Sequence, residues 1–169
     1  MRKLFTLLSL IFCVSLSAQD INWLSWDEAV KLSQSDANPK KMFVDVYTDW
    51  CGWCKKMDKD TFQNPKVAAY MTKNFYMVKL DGEGKEPIVY QGKTFNYVPS
   101  GKRGYHELAA ALLKNKLSYP TVVFLDEDLN MLSPVPGYQK VGPFMQIARF
   151  FGDNIYKEQD WQTYSKAGK

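Results

Sequence analysis

Two cysteines, Cys51 and Cys54, stand two residues apart in the run Trp50-Cys51-Gly52-Trp53-Cys54-Lys55, and what they can do depends on what surrounds them. Ahead of them, Lys41-Met42-Phe43-Val44-Asp45-Val46-Tyr47 is rich in β-branched and aromatic residues and predicts a buried strand. Behind them, Lys55 to Asp60 holds no Gly, Pro or β-branched residue and predicts a helix. A Cys-x-x-Cys pair at such a junction sets the first sulfur among the unpaired N–H groups of the first helical turn, where partial positive charge favours a thiolate. The thiolate is the reactive form, so the pair points to thiol and disulfide exchange.

Three other chemistries use paired cysteines. A structural zinc site takes four Cys or His ligands, whereas beyond the pair the chain offers only Cys13 and a single histidine, His106. No metal is expected. Covalent haem attachment needs histidine directly after the second cysteine, where Lys55 stands. A purely structural disulfide would close a four-residue loop worth only about 2 kcal/mol, which gives little reason for the spacing. His106, at the start of a predicted helix, reads as a surface helix residue rather than a catalyst.

The chain opens with Met1-Arg2-Lys3 and an apolar stretch from Leu4 to Leu16, followed by the small residues Ser17 and Ala18. A basic start and an apolar run too short to span a bilayer predict a signal peptide over 1–18, with an uncleaved anchor as the alternative. Phe12 before Cys13 is bulky where a lipoprotein signal has a small residue, which argues against lipidation. An exported, periplasmic or otherwise extracytoplasmic domain over 19–169 is expected. Removing Arg2 and Lys3 lowers the formal net charge from +4 to +2. With lysines interleaved among Asp and Glu, that is a solvated surface and no nucleic-acid site. A disulfide scaffold for an oxidising compartment would spread more cysteines along the chain.

The positioning elements follow from pattern. Ser25-Trp26-Asp27-Glu28 fits a capping box opening a helix that should stop near 35–39. Asn64-Pro65 starts another helix, so the cysteine helix should break near 61–64, and Phe75 to Leu80 reads as a strand. Residues 82–104, punctuated by glycines and prolines, read as an ordered insertion. A loop of that length is either a lid or substrate contact, or a passive surface excursion. Tyr105 to Leu117 has helical spacing, Thr121 to Leu125 is a strand, and Met131 to Val135 is its hairpin return, where Pro134 and Pro136 suit an edge. Gly142-Pro143 opens a last long helix carrying Phe144, Ile147, Ala148, Phe151 and Ile155. The tail 158–169 is polar apart from Trp161 and Tyr164.

This order of elements, the run Phe43 to Cys54 and the tripeptide Tyr119-Pro120-Thr121 resemble the thioredoxin family, in particular its exported disulfide-interchange branch, over about residues 24–157. The resemblance implies an α/β fold with a central mixed sheet flanked by helices. It implies Cys51 as nucleophile, the more exposed sulfur, and Cys54 as the resolving thiol. It places an acid at Asp45, which if buried takes the proton of Cys54, and a strand lysine at Lys79 as its partner; solvent-facing charges on a strand are the other reading of both. Pro120 would be a cis-proline facing the sulfurs, exposing the backbone of Tyr119 for pairing with an extended substrate, where without the family match an ordinary trans proline would do. Trp50, Gly52 and Trp53 complete the implied substrate-binding set, although core packing explains Trp50 equally well.

Gly-Trp between the cysteines departs from the Gly-Pro of the most reducing family members and from the histidine of the strongly oxidising ones. An intermediate potential is expected, about −270 to −180 mV. No cofactor beyond the cysteine pair is implied. The implied partners are exported proteins or peptides with disulfides and a membrane thiol-electron donor. Three activities fit: a reductase or isomerase of exported disulfides, a dedicated reductase for cytochrome maturation, and a non-enzymatic binding or chaperone module.

Overall fold

The computed structural model describes residues 20–167; the predicted signal segment, with Cys13, lies outside them. The centre of the sheet is β1 (Lys41–Tyr47), six of whose seven residues are buried. It pairs in parallel with β2 (Phe75–Asp81) and antiparallel with β7 (Thr121–Leu125), and β8 (Met131–Pro136) closes the far edge, giving the order β2-β1-β7-β8. The parallel pairing needs a crossover, and α2 (Gly52–Met57) and α3 (Pro65–Asn74) provide it. Pro134 and Pro136 stand on the edge strand, where a missing N–H breaks no ladder.

Strand alternation divides the core in two. Met42, Val44 and Val46 of β1 face a cluster with Trp26 and Ala29 of α1 (Trp26–Ser35) and Leu108 and Leu112 of α4 (Glu107–Leu112). Phe43 faces the opposite cluster, with Met57, Phe62, Val67, Met71 and the Phe144, Ala148 and Phe151 of α5 (Val141–Gly152). Here Phe43 packs edge-on against Phe62, Phe124 and Phe144 with centroids 5.3–5.7 Å apart. Each fully buried ring is worth about 1.5–3 kcal/mol of transfer free energy. Asp45, two residues on from Phe43, shares that ring's side of the sheet, the side of the cysteine helix.

The capping box of α1 is present: the Ser25 N–H donates to Glu28 at 2.8 Å and the Glu28 N–H to Ser25 Oγ at 3.3 Å. Asn64 caps α3 with Pro65 in its first turn. The cysteine helix changes character earlier than expected, passing at Asp58 into a wider π-helical turn, Asp58–Phe62. The insertion is two hairpins, β3 (Ile88–Tyr90) with β4 (Lys93–Phe95) and β5 (Tyr97–Ser100) with β6 (Arg103–His106).

Three expectations need correction. The helix predicted over 105–117 is only Glu107–Leu112: Tyr105 and His106 belong to β6, and left-handed Lys114 and Asn115 (φ 52° and 62°) stop it. Ile155 lies in a separate short turn after left-handed Asn154, not in the last long helix. His106 is not a surface residue but fully buried. It caps α4 by accepting the Leu108 N–H on Nδ1 at 3.1 Å, and its Nε2 faces the Glu86 carbonyl oxygen at 3.1 Å. Acceptance at Nδ1 and donation from Nε2 define a neutral ring. The polar tail forms α6 (Trp161–Ala167), whose Trp161 and Tyr164 pack on Phe150 at 5.3 and 5.4 Å.

Candidate active site

Cys51 is the N-cap of α2, and the Cys54 N–H donates to Cys51 Sγ at 3.0 Å. The strand ends, the chain turns with the Cys51 N–H on the Thr48 carbonyl at 3.0 Å, and the helix starts under the sulfur. An N–H aimed at that sulfur favours its anionic form when the bond is open. The two cysteines are joined in a disulfide. The expectation that Cys51 is the more exposed is corrected: both residues are buried, at 4 % and 5 % exposure.

Pro120 follows a cis peptide and immediately precedes Thr121, which pairs with Val46 near the end of β1. This puts Tyr119 and Pro120 at the end of the sheet from which the cysteine loop emerges. The Tyr119 ring lies edge-to-face with Trp50, centroids 6.0 Å apart, and covers Gly82 so closely that a Cβ there would stand 2.8 Å from Tyr119 Cε1 and Cζ. Burial, with Glu83 and Asp81 nearby, pushes the phenol up to about 12. Trp50 and Trp53 are 52 % and 59 % exposed, so neither is a core residue. Trp53 leans on Tyr138 at 5.5 Å, and the pair line a groove with Lys56, Asp60 and Gly142. Gly52, in the first turn of α2, has open space where a side chain would be.

Beneath the helix, Asp45 and Lys79 are direct partners in the β1–β2 register. Lys79 Nζ is 3.8 Å from Asp45 and 3.1 Å from Asp58, and it lies over the rings of Trp23 and Tyr47 at 4.9 and 5.3 Å. Asp45 is 2 % exposed. Burial raises its pKa from 3.8 to about 7; Lys79 pulls the other way and the Asp58 charge adds to the rise. A carboxyl with that affinity exchanges protons near neutrality, which suits a group serving a thiol. A cavity of about 110 Å3 lined by Thr48, Cys54, Asp58 and Lys79 leaves room for water beside Cys54. Among the described residues, the buried Thr48 hydroxyl on its wall has no hydrogen-bond partner.

Sequence reasoning missed several residues. Asp58 follows Cys54 by four positions, one helical turn, so spacing alone could have flagged it. Glu83, which accepts the Trp50 Nε1–H at 2.9 Å, and Arg103, whose guanidinium lies 4.4 Å from the Trp50 ring centroid, left no local signal.

The family model described as Thioredox_DsbH, "Protein of unknown function, DUF255", matches residues 9–138. The disulfide bond reductase DsbH of Chlamydia pneumoniae is 26% identical over 134 residues, which is 79% of this chain and 73% of that protein. The thiol:disulfide interchange protein DsbD of Photorhabdus laumondii is 26% identical over 136 residues, 80% of this chain but only 19% of that one. An uncharacterized protein of Caenorhabditis elegans is 27% identical over 113 residues, 67% of this chain and 13% of its own length. Among solved structures, "DsbH Oxidoreductase" superposes with a TM-score of 0.56 at 19% identity, covering 85% of this chain and 92% of that one. A thioredoxin-fold protein from Helicobacter pylori also gives 0.56 at 19% identity, over 79% and 85%. With the β2-β1-β7-β8 sheet and helices on both faces, these likenesses show the thioredoxin fold, and the match over 9–138 shows the family: the chain belongs to the Thioredox_DsbH family.

Proposed function

We propose that this chain is an exported thiol–disulfide oxidoreductase that reduces or isomerises disulfides of exported proteins. The observation that carries the reading is the Cys51–Cys54 disulfide at the start of α2, with the Cys54 N–H on Cys51 Sγ. The relatives named as a disulfide bond reductase and a thiol:disulfide interchange protein support it.

In the reducing direction, the Cys51 thiolate attacks one sulfur of a substrate disulfide; that bond breaks, a mixed disulfide forms, and the first substrate thiolate leaves and takes a proton from water. Cys54 then loses its proton towards Asp45 and attacks Cys51 Sγ. The second substrate sulfur departs as a thiolate and takes a proton from water, leaving the Cys51–Cys54 disulfide. Two electrons pass from the dithiol to the substrate, and a dithiol donor on the membrane returns them. Trp50, Trp53, Tyr119 and Pro120 supply the surface on which an extended substrate lies, and Lys79 moderates the charge on Asp45.

Glutathione equilibration and insulin reduction by wild type and Cys51→Ser test the reading. Wild type is expected to equilibrate and to reduce insulin, and the variant to do neither. A wild-type protein that does neither overturns it. Mixed disulfides trapped with Cys54→Ala identify the substrates.

A further inference from the structure

The β5–β6 hairpin of the insertion brings basic charge to Trp50, the residue preceding Cys51. From Pro87 to His106 the chain contains Lys93, Lys102 and Arg103 and no Asp or Glu. Among the described residues none of the three takes part in an ion pair. Gly101, in the left-handed region at φ 58°, turns the β5–β6 tip, and Lys102 and Arg103 follow it, both exposed. The base of that hairpin is fixed to the site: the His106 N–H donates to the Gly82 carbonyl at 2.7 Å, and the Gly82 N–H to the Tyr47 carbonyl at 2.7 Å. Its tip meets the site as well, since the Arg103 guanidinium lies over Trp50, the residue preceding Cys51.

Trp50 is therefore held on three sides: Arg103 on its face, Glu83 on its N–H and Tyr119 at 6.0 Å edge-to-face. A guanidinium stacked on an aromatic ring spends its face, while the N–H groups along its edge still suit a carboxylate in bidentate geometry. Glu83 has one oxygen engaged by the indole and is not within ion-pair distance of Arg103. The geometry points to Arg103 as a specificity-determining residue that receives a carboxylate of the partner polypeptide lying close to the partner's reactive cysteine, with Lys102 adding to the attraction. The insertion is then a wall of the substrate cleft rather than a passive excursion. This inference rests on the oxidoreductase reading of Cys51 and Cys54.

Three peptides, alike except for Asp, Asn or Lys on both sides of one cysteine, are each prepared as the mixed disulfide with 2-mercaptoethanol. Reduction by the dithiol form of the full protein releases the peptide thiol and 2-mercaptoethanol and leaves the Cys51–Cys54 disulfide, so the second-order rate is read from the freed peptide. The Asp peptide is expected to react about fivefold faster than the Asn peptide, the upper range of an exposed ion pair, and the Lys peptide more slowly than both. The spread should shrink between about 20 mM and about 300 mM NaCl. Arg103→Gln should bring the Asp and Lys rates together, and Arg103→Lys should keep the order with a smaller spread, since it retains charge but loses the planar fork. If wild type reduces none of the peptides, the oxidoreductase reading fails and this inference with it. If wild type reduces all three at equal rates, or Arg103→Gln keeps the full wild-type spread, the inference alone is overturned.

Discussion

Asp45→Asn is expected to stabilise the oxidised protein at neutral and alkaline pH and to have a small effect near pH 4. The side chains are nearly isosteric, so the change is chiefly one of charge. Asp45 titrates at about 7 in the fold against 3.8 for an ordinary aspartate, with burial as the main cause. A raised carboxyl pKa means that the native state holds the proton more tightly than the unfolded chain. Stability therefore falls as pH rises from about 4 to about 7 and is level above that. Each tenfold difference in proton affinity is worth about 1.4 kcal/mol, so the loss amounts to up to about 4 kcal/mol. Asparagine cannot ionise and escapes it. Lys79 keeps a partner in the variant, because Asp58 stands 3.1 Å from its Nζ. Urea unfolding of both disulfide forms at several pH values between about 4 and about 8.5 measures the difference, and the other titrating groups, common to both proteins, largely cancel. The stability gap should widen in favour of asparagine by up to about 4 kcal/mol across that range. A gap independent of pH, or one that turns in favour of aspartate as pH rises, refutes the reasoning.

The same Asp45→Asn variant should leave attack by Cys51 little changed and slow resolution by Cys54 about a hundredfold, the lower range for a lost proton acceptor, so that rapid acid quench shows the mixed disulfide accumulating. Lys79→Met removes the cation that lowers the Asp45 pKa, and the pH profile of resolution should move to higher pH. Gly82→Ala would drive a Cβ into the Tyr119 ring and should cost about 1–3 kcal/mol in urea unfolding. Gly52→Ala, with nothing within 4 Å, should cost nothing or stabilise slightly in the same assay. His106→Ala removes both the cap of α4 and the contact to Glu86 from a fully buried site, and should lower stability by about 2–4 kcal/mol in thermal or urea unfolding.

What was legible in the chain was carried by near neighbours. The capping box of α1, the Asn-Pro start of α3, the edge-strand prolines and the strand-to-helix setting of the cysteines all depend on side chains within a few positions of one another. The Asp45–Lys79 pair was anticipated through the thioredoxin resemblance, and the β1–β2 register sets the two residues opposite each other. The helix expected over 105–117 misled because the same apolar spacing continues past the left-handed turn at Lys114 and Asn115. His106 read as exposed because nothing in its local sequence announces that the Glu86 carbonyl meets its Nε2.

By itself the sequence determined the reactive pair, its helix, the buried strand before it and the proline-led strand after it, because spacing and periodicity are properties of a short stretch of chain. It took the folded chain to show that Asp58 shares Lys79 with Asp45, that both cysteines are buried, and that an insertion starting 31 residues after Cys51 holds Trp50 from Glu83 and Arg103. Those relations are distances and desolvation between residues remote in sequence. They exist once β1 has taken β2 on one side and β7 on the other, and the two hairpins have been anchored beside the end of that sheet.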